Sequence, residues 1–425
     1  MRVGAALLAV LVLAATATRA HAEDALRAGF GQSALPAEIG APLGGYGGLW
    51  DRTADSINDA PEARALILEL GAQRLGIVAL DVVIPRGELR EAVLREVAPL
   101  ELDGLLLAAT HTHSGPGGYI EGFLAARITS GRFDPAIRAR MVEATAQALR
   151  SAAADLRGAT LALGQTEIDL AVNRLDAQGA RERALPMLEL LREGAAPIVL
   201  FAYGAHATTL SPSNHAFSAD YVGAARSWLD AHGVQALVLP GPLGDQGPRP
   251  AREPTPSGVD PELAWSAEIG NALARAVFDA LPSLHASAPE LALHEQSFDL
   301  EPFQLRRFCA LWWLQPFVRG PARRTLPRSA PLQAWTIGTA RLLAIPAEPS
   351  SELGSELRAA IDARVPDATP FVIAHANDWA GYALTEAGYR RGGYESCLSF
   401  QGPELGARLV SESAAALAAL EQARP

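Results

Sequence analysis

Short apolar runs, each bounded by Gly, Pro or polar residues, recur along the chain at 65–70, 75–80, 105–109, 197–202, 236–239, 340–345 and 371–374. Runs of this length and composition are the pattern of strands buried on both faces. Residues 71–74, Gly-Ala-Gln-Arg, read as the turn of a hairpin joining the first two. Helical periodicity fills the intervals at 88–97, 135–155, 219–231, 261–280, 350–363 and 403–422. Asp134-Pro135 and Asp260-Pro261 each set a capping residue before a proline at the first helical position, and Ser218 precedes another helix. The alternation predicts an α/β fold, a mixed β-sheet core flanked by helices in a single large domain. The stretch 240–258 is rich in Pro and Gly. It is expected to be a long loop at the functional site and not a boundary, because strands and helices resume after it.

The chain opens differently. Arg2 is followed by an apolar run over 3–15, and Ala20-His21-Ala22 has the small-x-small form of a processing site. This predicts a signal peptide over 1–22, cleaved after Ala22, and a mature domain over 23–425. The apolar run is short for a membrane span, so an uncleaved anchor is the lesser alternative. Export would end in a periplasm or outside the cell. Composition, at 49% hydrophobic and 20% charged, is that of a folded globular chain. All 36 basic residues are arginine and the formal charge is −11, with no basic tract. That excludes nucleic acid as a partner and leaves a small-molecule or lipid substrate. The oligomeric state is not encoded in these features. In an exported chain Cys309 and Cys397 can form one bridge or remain two buried thiols, and both readings stand. Two cysteines exclude a thiolate zinc cluster. Between 298 and 331, Phe303, Phe308, Trp312, Trp313 and Phe317 are interleaved with arginines. The favoured reading is a core-packed helix with arginine stems lying over it; the other is a lid or a surface for transient membrane contact.

Candidate chemistry gathers at strand ends. The run 105–109 leads into Thr110-His111-Thr112-His113-Ser114-Gly115-Pro116. On a strand, residues i and i+2 share a face, so His111 and His113 are expected to project together at the carboxyl end. Sites in α/β sheets are built there. The plain alternative is a pair of histidines satisfied by hydrogen bonds in a turn. A second buried strand leads to His206 in Gly-Ala-His-Ala-Thr-Thr, and a third to Glu348 in Ile-Pro-Ala-Glu-Pro-Ser. Imidazoles and a carboxylate delivered by separate strand ends suit a zinc ion. Glu348 alone would be read as a helix-start carboxylate.

The Thr-His-Thr-His-Ser-Gly-Pro stretch, the His-Ala-Thr-Thr stretch and the segment from Asn377 to Glu395 resemble the N-terminal catalytic domain of the neutral/alkaline (non-lysosomal) ceramidases. The resemblance runs from Gly29 to about Gly406. Those enzymes are zinc amidases that cleave the N-acyl bond of ceramide. The resemblance implies one Zn²⁺ per chain held by His111, His206, Glu348 and Tyr382. It also implies catalytic roles for His113, Arg174, Tyr382 and Tyr394. A histidine such as His113 can take and return a proton, since its unperturbed pKa is about 6.5. Two departures stand out. The family's Gly-Asp-Val-Ser-Pro-Asn motif supplies a serine regarded as catalytic, and here the stretch reads Gly244-Asp-Gln-Gly-Pro-Arg249, with Gly247 in the serine's place. A mechanism needing that hydroxyl is excluded at this position, whereas attack by zinc-activated water is not. Typical members also carry a C-terminal β-sandwich domain. The matched segments here end near Gly406, so the expectation is a catalytic domain without it, acting on a ceramide-like amide. The expected function is an exported zinc amidohydrolase. The alternatives are a zinc-retaining lipid-binding homologue without turnover, or a zinc hydrolase of an ester or peptide bond.

Overall fold

The computed structural model describes residues 25–47, 52–122, 131–306, 309 and 327–422. The predicted signal peptide over 1–22 lies outside them, as do Phe308, Trp312, Trp313 and Phe317. The fold class is as expected: a mixed sheet with helices packed on its faces.

The large sheet has nine strands. They are β1 (Arg27–Ala34), β2 (Glu62–Leu70), β3 (Gln73–Leu80), β4 (Gly104–Ala109), β5 (Arg157–Glu167), β6 (Ala184–Arg192), β7 (Ile198–Tyr203), β8 (Gln235–Pro240) and β9 (His285–Ser287). Their order is β8-β7-β6-β5-β1-β2-β3-β4, with β9 on β5. The β2–β3 hairpin is antiparallel, and the two outermost pairs, β3–β4 and β7–β8, are parallel. A second sheet has the order β10-β11-β12-β13, formed by Leu291–Asp299, Ser329–Ile337, Ala340–Ala344 and Thr369–Ile373. Phe298 and Pro331, at the ends of the aromatic segment, therefore belong to strands and not to a helix. Phe303 is buried and packs on Phe400, the ring centroids 5.2 Å apart.

Helices cover the outer faces: α1 (Gly87–Glu96), α2 (Pro135–Ala154), α3 (Asp220–Ala231), α4 (Pro261–Ala280), α5 (Ser351–Arg364), the short α6 (Glu386–Arg391) and α7 (Tyr394–Cys397), and α8 (Leu405–Gln422). Asp134 and Asp260 cap α2 and α4 through their side chains, as the sequence predicts. At α3 the cap position is Ala219, and the Ser218 hydroxyl one residue before it accepts the Asp220 N–H at 2.9 Å.

Alternate residues of each strand serve two cores. Leu66, Leu68 and Ile77 meet Leu188, Leu200 and Leu237 from the other arm of the large sheet, and Trp335, Leu342 and Phe371 from the second sheet, in one central cluster. The outward residues pack on α1 and α2, on α3 and α4, or on α5 and α8. Strands covered on both faces read as unbroken apolar runs. The three β surfaces so joined bring the carboxyl ends of β4, β7, β12 and β13 to one place. Asn377, just past β13, stitches two of them: its backbone N–H donates to Leu107 O at 2.7 Å, and its Oδ1 accepts from Leu107 N at 3.0 Å.

Beneath this junction lies a buried ion pair. Asp81, at 0% exposure, accepts both terminal nitrogens of Arg226 at 2.8 and 2.6 Å, the Glu62 N–H at 2.8 Å and the Thr110 hydroxyl at 3.1 Å. Removing one partner of a buried pair strands the other charge. Arg226→Leu is expected to lower unfolding stability by about 3–5 kcal/mol. Adding Asp81→Asn should recover part of the loss; denaturant titration of the three variants measures both effects.

Candidate metal centre

The loop after β4 is built by hydrogen bonds to the neighbouring strand end. Thr110 N donates to Leu80 O at 2.8 Å and His111 N to Val82 O at 3.1 Å. The strand stops at Ala109, and His111 takes a left-handed conformation with φ 65°. The premise that His111 and His113 share a strand face is therefore corrected. The two imidazoles still meet, Nε2 to Nε2 at 3.2 Å, because Thr112 forms a bridge with Ala207 that turns the loop back on the His206 segment. Left-handed backbone costs a non-glycine residue roughly 1–2 kcal/mol and persists where surrounding contacts fix it.

Each histidine's outer nitrogen reveals what its inner nitrogen presents. His111 Nδ1 faces Val83 O at 2.5 Å, and His206 Nδ1 faces Leu243 O and Gln246 O, both at 2.9 Å. Only a protonated Nδ1 can donate to a carbonyl, so both neutral rings present an Nε2 lone pair to the interior. His113 is the reverse. Its Nδ1 accepts the Tyr46 N–H at 3.1 Å, so its Nε2 carries the proton. Gly45 makes this contact possible: a Cβ there would stand 2.6 Å from His113 Cγ, and its φ is 79°.

Glu348 and Tyr382 face each other in a two-residue parallel ladder, Glu348–Pro349 with Tyr382–Ala383. Glu348 is 2% exposed. Its Oε1 accepts the Trp379 indole N–H at 2.7 Å. Its Oε2 has no hydrogen-bond partner among the described residues and lies 3.9 Å from His111 Nε2 and 3.6 Å from His206 Nε2. The Tyr382 hydroxyl is 3.3 Å from His206 Nε2. Glu348 is not a helix cap, since Ser350 caps α5 by accepting from Leu353 N. Burial lowers the pKa of His111 and takes those of His113 and His206 well below the usual imidazole range; Arg174 adds to this in all three. Burial also pushes the Tyr382 phenol well up, with Glu348 adding to it.

Arg174 reaches the same place from the far side. Its Nη2 donates to Gly244 O at 2.7 Å and to Glu395 Oε1 at 2.9 Å. Burial pulls its pKa down, but Tyr382 and Glu395 outweigh that and leave it above the ordinary value. Gly247 sits under the arginine stem: a Cβ there would be 3.3 Å from Arg174 Cγ and Cδ. Residues 246–248 pair with Ala171–Asn173, so this part of the predicted loop does line the site. Tyr394 stands at the rim, 63% exposed, its ring centroid 6.0 Å from that of Tyr382. Its helix α7 ends at Cys397, which forms a disulfide with Cys309, settling the open alternatives in favour of a bridge.

The structure thus brings together His111, His113, His206, Glu348, Tyr382, Arg174 and Tyr394. Sequence reasoning did not find Tyr46, His375, Trp379 or Glu395. His375 follows the end of β13 as His206 follows β7, so the strand-end rule that found His206 applies to it as well. Tyr46 acts through its backbone and leaves no signal.

Residues 36–237 match the family described as neutral/alkaline non-lysosomal ceramidase, N-terminal. A neutral ceramidase from Mycobacterium tuberculosis is 31% identical over 208 residues, which cover 43% of this chain and 32% of that protein. The match therefore spans about a third of the curated relative. The crystal structure of neutral ceramidase from Pseudomonas aeruginosa superposes with TM-score 0.80 at 21% identity, covering 94% of this chain and 75% of that one. A ceramidase described as complexed with C2 gives TM-score 0.81 at 21% identity, covering 94% and 76%. The fold is that of the neutral ceramidases, and residues 36–237 match the N-terminal region of the neutral/alkaline non-lysosomal ceramidase family.

Proposed function

We propose that this chain is an exported zinc-dependent hydrolase that cleaves the N-acyl amide of a ceramide-like lipid. The observation that carries the reading is the bare Oε2 of Glu348, buried and facing two imidazole lone pairs. A buried carboxylate oxygen without a donor is costly unless a cation compensates it. Two neutral imidazoles, a carboxylate and a phenol oxygen are a donor set that zinc accepts. His111, His206, Glu348 and Tyr382 would hold the ion. When bound, Zn²⁺ supplies Lewis acidity toward a carbonyl oxygen and toward water.

The chain's own residues do the rest. His111 and His206 are fixed in tautomer and direction by backbone carbonyls. His113 presents Nε2–H toward the same space and is placed to donate to an oxygen that gains charge, or to the departing nitrogen. The proton-accepting role expected of His113 would require the Tyr46 contact to break, because Nε2 already carries the proton. Arg174, held by Glu395 and Gly244 O, sets a fixed positive charge beside the Tyr382 hydroxyl and favours the developing anion. Tyr394 at the rim is placed to meet the substrate's polar end. Gly247 offers no hydroxyl, so the nucleophile is water. The lipid class rests on the relatives, one of which is described as complexed with C2. Export rests on the opening 22 residues, and N-terminal sequencing of the mature protein should begin at Glu23.

The purified protein is expected to carry about one tightly held zinc per chain by elemental analysis. His111→Ala should lose metal and activity together. His113→Ala should keep the metal and lose activity by about 10²-fold or more, the scale of a lost acid–base or oxyanion donor. The reverse pattern would exchange the two roles, and absence of zinc in the wild type would end the reading.

A panel of fluorogenic N-acyl sphingosines, lipid esters and short peptides assigns the bond. The amide panel is expected to respond. Response of the ester or peptide panel alone would replace the proposed substrate class. Silence of all three with zinc retained would favour the non-catalytic binding protein that Gly247 suggests.

A further inference from the structure

His375 stands beside the centre, outside the donor set above. It is 0% exposed, and neither ring nitrogen has a hydrogen-bond partner among the described residues. Its backbone is pinned: its N–H donates to Ala347 O at 3.1 Å and its carbonyl accepts the Ala109 N–H at 3.1 Å. The left-handed φ of 45° at this residue aims the ring at the junction. A buried polar group left without a partner costs about 1–3 kcal/mol, so a fixed imidazole with two such nitrogens calls for a ligand.

The surroundings say which kind. His375 Nε2 lies 3.9 Å from Glu348 Oε1, the oxygen turned away from His206. His111, Glu348 and His375 form a group whose ligand atoms all lie within 4.8 Å of one another. The His375 ring is stacked on that of His111, with centroids 4.1 Å apart and planes 20° apart. An imidazole lone pair lies in the plane of its ring. Two nearly parallel rings therefore cannot both aim at one ion, but they suit two ions separated by about the ring spacing. Paired cations in hydrolytic sites sit about 3.5–4 Å apart. Glu348 spans the same gap, with Oε2 toward His111 and His206 and Oε1 toward His375. The Trp379 N–H occupies one acceptor direction of Oε1 and leaves the other.

We propose that His375 and Glu348 Oε1 form a subsite for a second divalent cation, with the Glu348 carboxylate bridging it to the first. This rests on the metal centre proposed above. Two protein donors make the subsite weaker than the first site, with water or a substrate oxygen completing it. It is filled when metal is added and is lost on purification.

The test uses the full mature chain stripped with chelator and titrated with Zn²⁺ alone, and separately with Mn²⁺ followed by electron paramagnetic resonance. The wild type is expected to bind two Zn²⁺, one tight and one weaker, and the Mn²⁺ spectrum at saturation should be that of an exchange-coupled pair. His375→Leu, close in volume, and His375→Ala should retain the tight equivalent, lose the weaker one and show only isolated Mn²⁺, with circular dichroism reporting the fold. If neither variant folds, the wild-type spectrum decides. One equivalent in the wild type, an uncoupled spectrum, two equivalents in a folded variant, or loss of both ions in a folded variant would each overturn the second subsite. No binding at all would instead overturn the first site on which it rests.

Discussion

The centre depends on one carboxylate. Glu348 is taken out of water by three β surfaces at once, and only one of its oxygens receives a hydrogen bond from the described residues. Desolvating a carboxylate costs several kcal/mol that one indole N–H does not offset. The scaffold can hold such a group because the residues around it are fixed independently of it. The Glu348–Tyr382 ladder positions its backbone, Asn377 ties the second sheet to β4, and Asp81 with Arg226 braces the loop that carries His111. The unmet demand of the carboxylate is thus set by the fold, and a bound cation would meet it.

The histidines are prepared for the same task. A proton competes with a metal ion for an imidazole lone pair. Here burial disfavours the protonated ring, and the neighbouring imidazoles and Arg174 oppose it further. The anchored Nδ1 atoms remove the other uncertainty, the choice of tautomer. At Nδ1, His113 has a backbone donor where His111 and His206 have carbonyl acceptors. That difference is enough to turn a metal-ligand residue type into a hydrogen-bond donor.

Much of this was legible in the chain because β4, β7, β8 and β13 are covered on both faces and read as plain apolar runs ending in polar chemistry. The helices with strong caps, α2 and α4, were equally plain. Strands with one wetter face were not: β5 runs Arg-Gly-Ala-Thr-Leu-Ala-Leu-Gly-Gln-Thr-Glu with exposed positions interspersed, and β11 carries Pro331 and a buried Gln333. Gln333 is there because it accepts from the Asn377 side chain, a long-range bond that no local pattern announces. His111 and His113 were read as strand neighbours and are in fact turned together by a left-handed residue and a bridge to Ala207. The right pair was found by a rule whose geometry does not hold at that position. Tyr382, Arg174 and Tyr394 came from resemblance, since a tyrosine after Gly381 or an arginine after Asn173 has no spacing that points to a site.

Gly247 shows how a departure from a family pattern can be absorbed. A side chain there would begin 3.3 Å from the Arg174 stem, close enough that the arginine would have to give way or press against it. With glycine, the stem lies flat over the strand and the guanidinium reaches Gly244 O and Glu395 together. Glu395 in turn sits next to Tyr394 on a helix fastened by the Cys309–Cys397 bridge. The position without a hydroxyl leaves room for the Arg174 stem, and the guanidinium charge lies against the Tyr382 oxygen. Electrostatic stabilisation of a developing anion is commonly the largest catalytic term in acyl transfer. Under the proposed function, a site organised this way would rely on fixed charge and water where a nucleophilic side chain would otherwise serve.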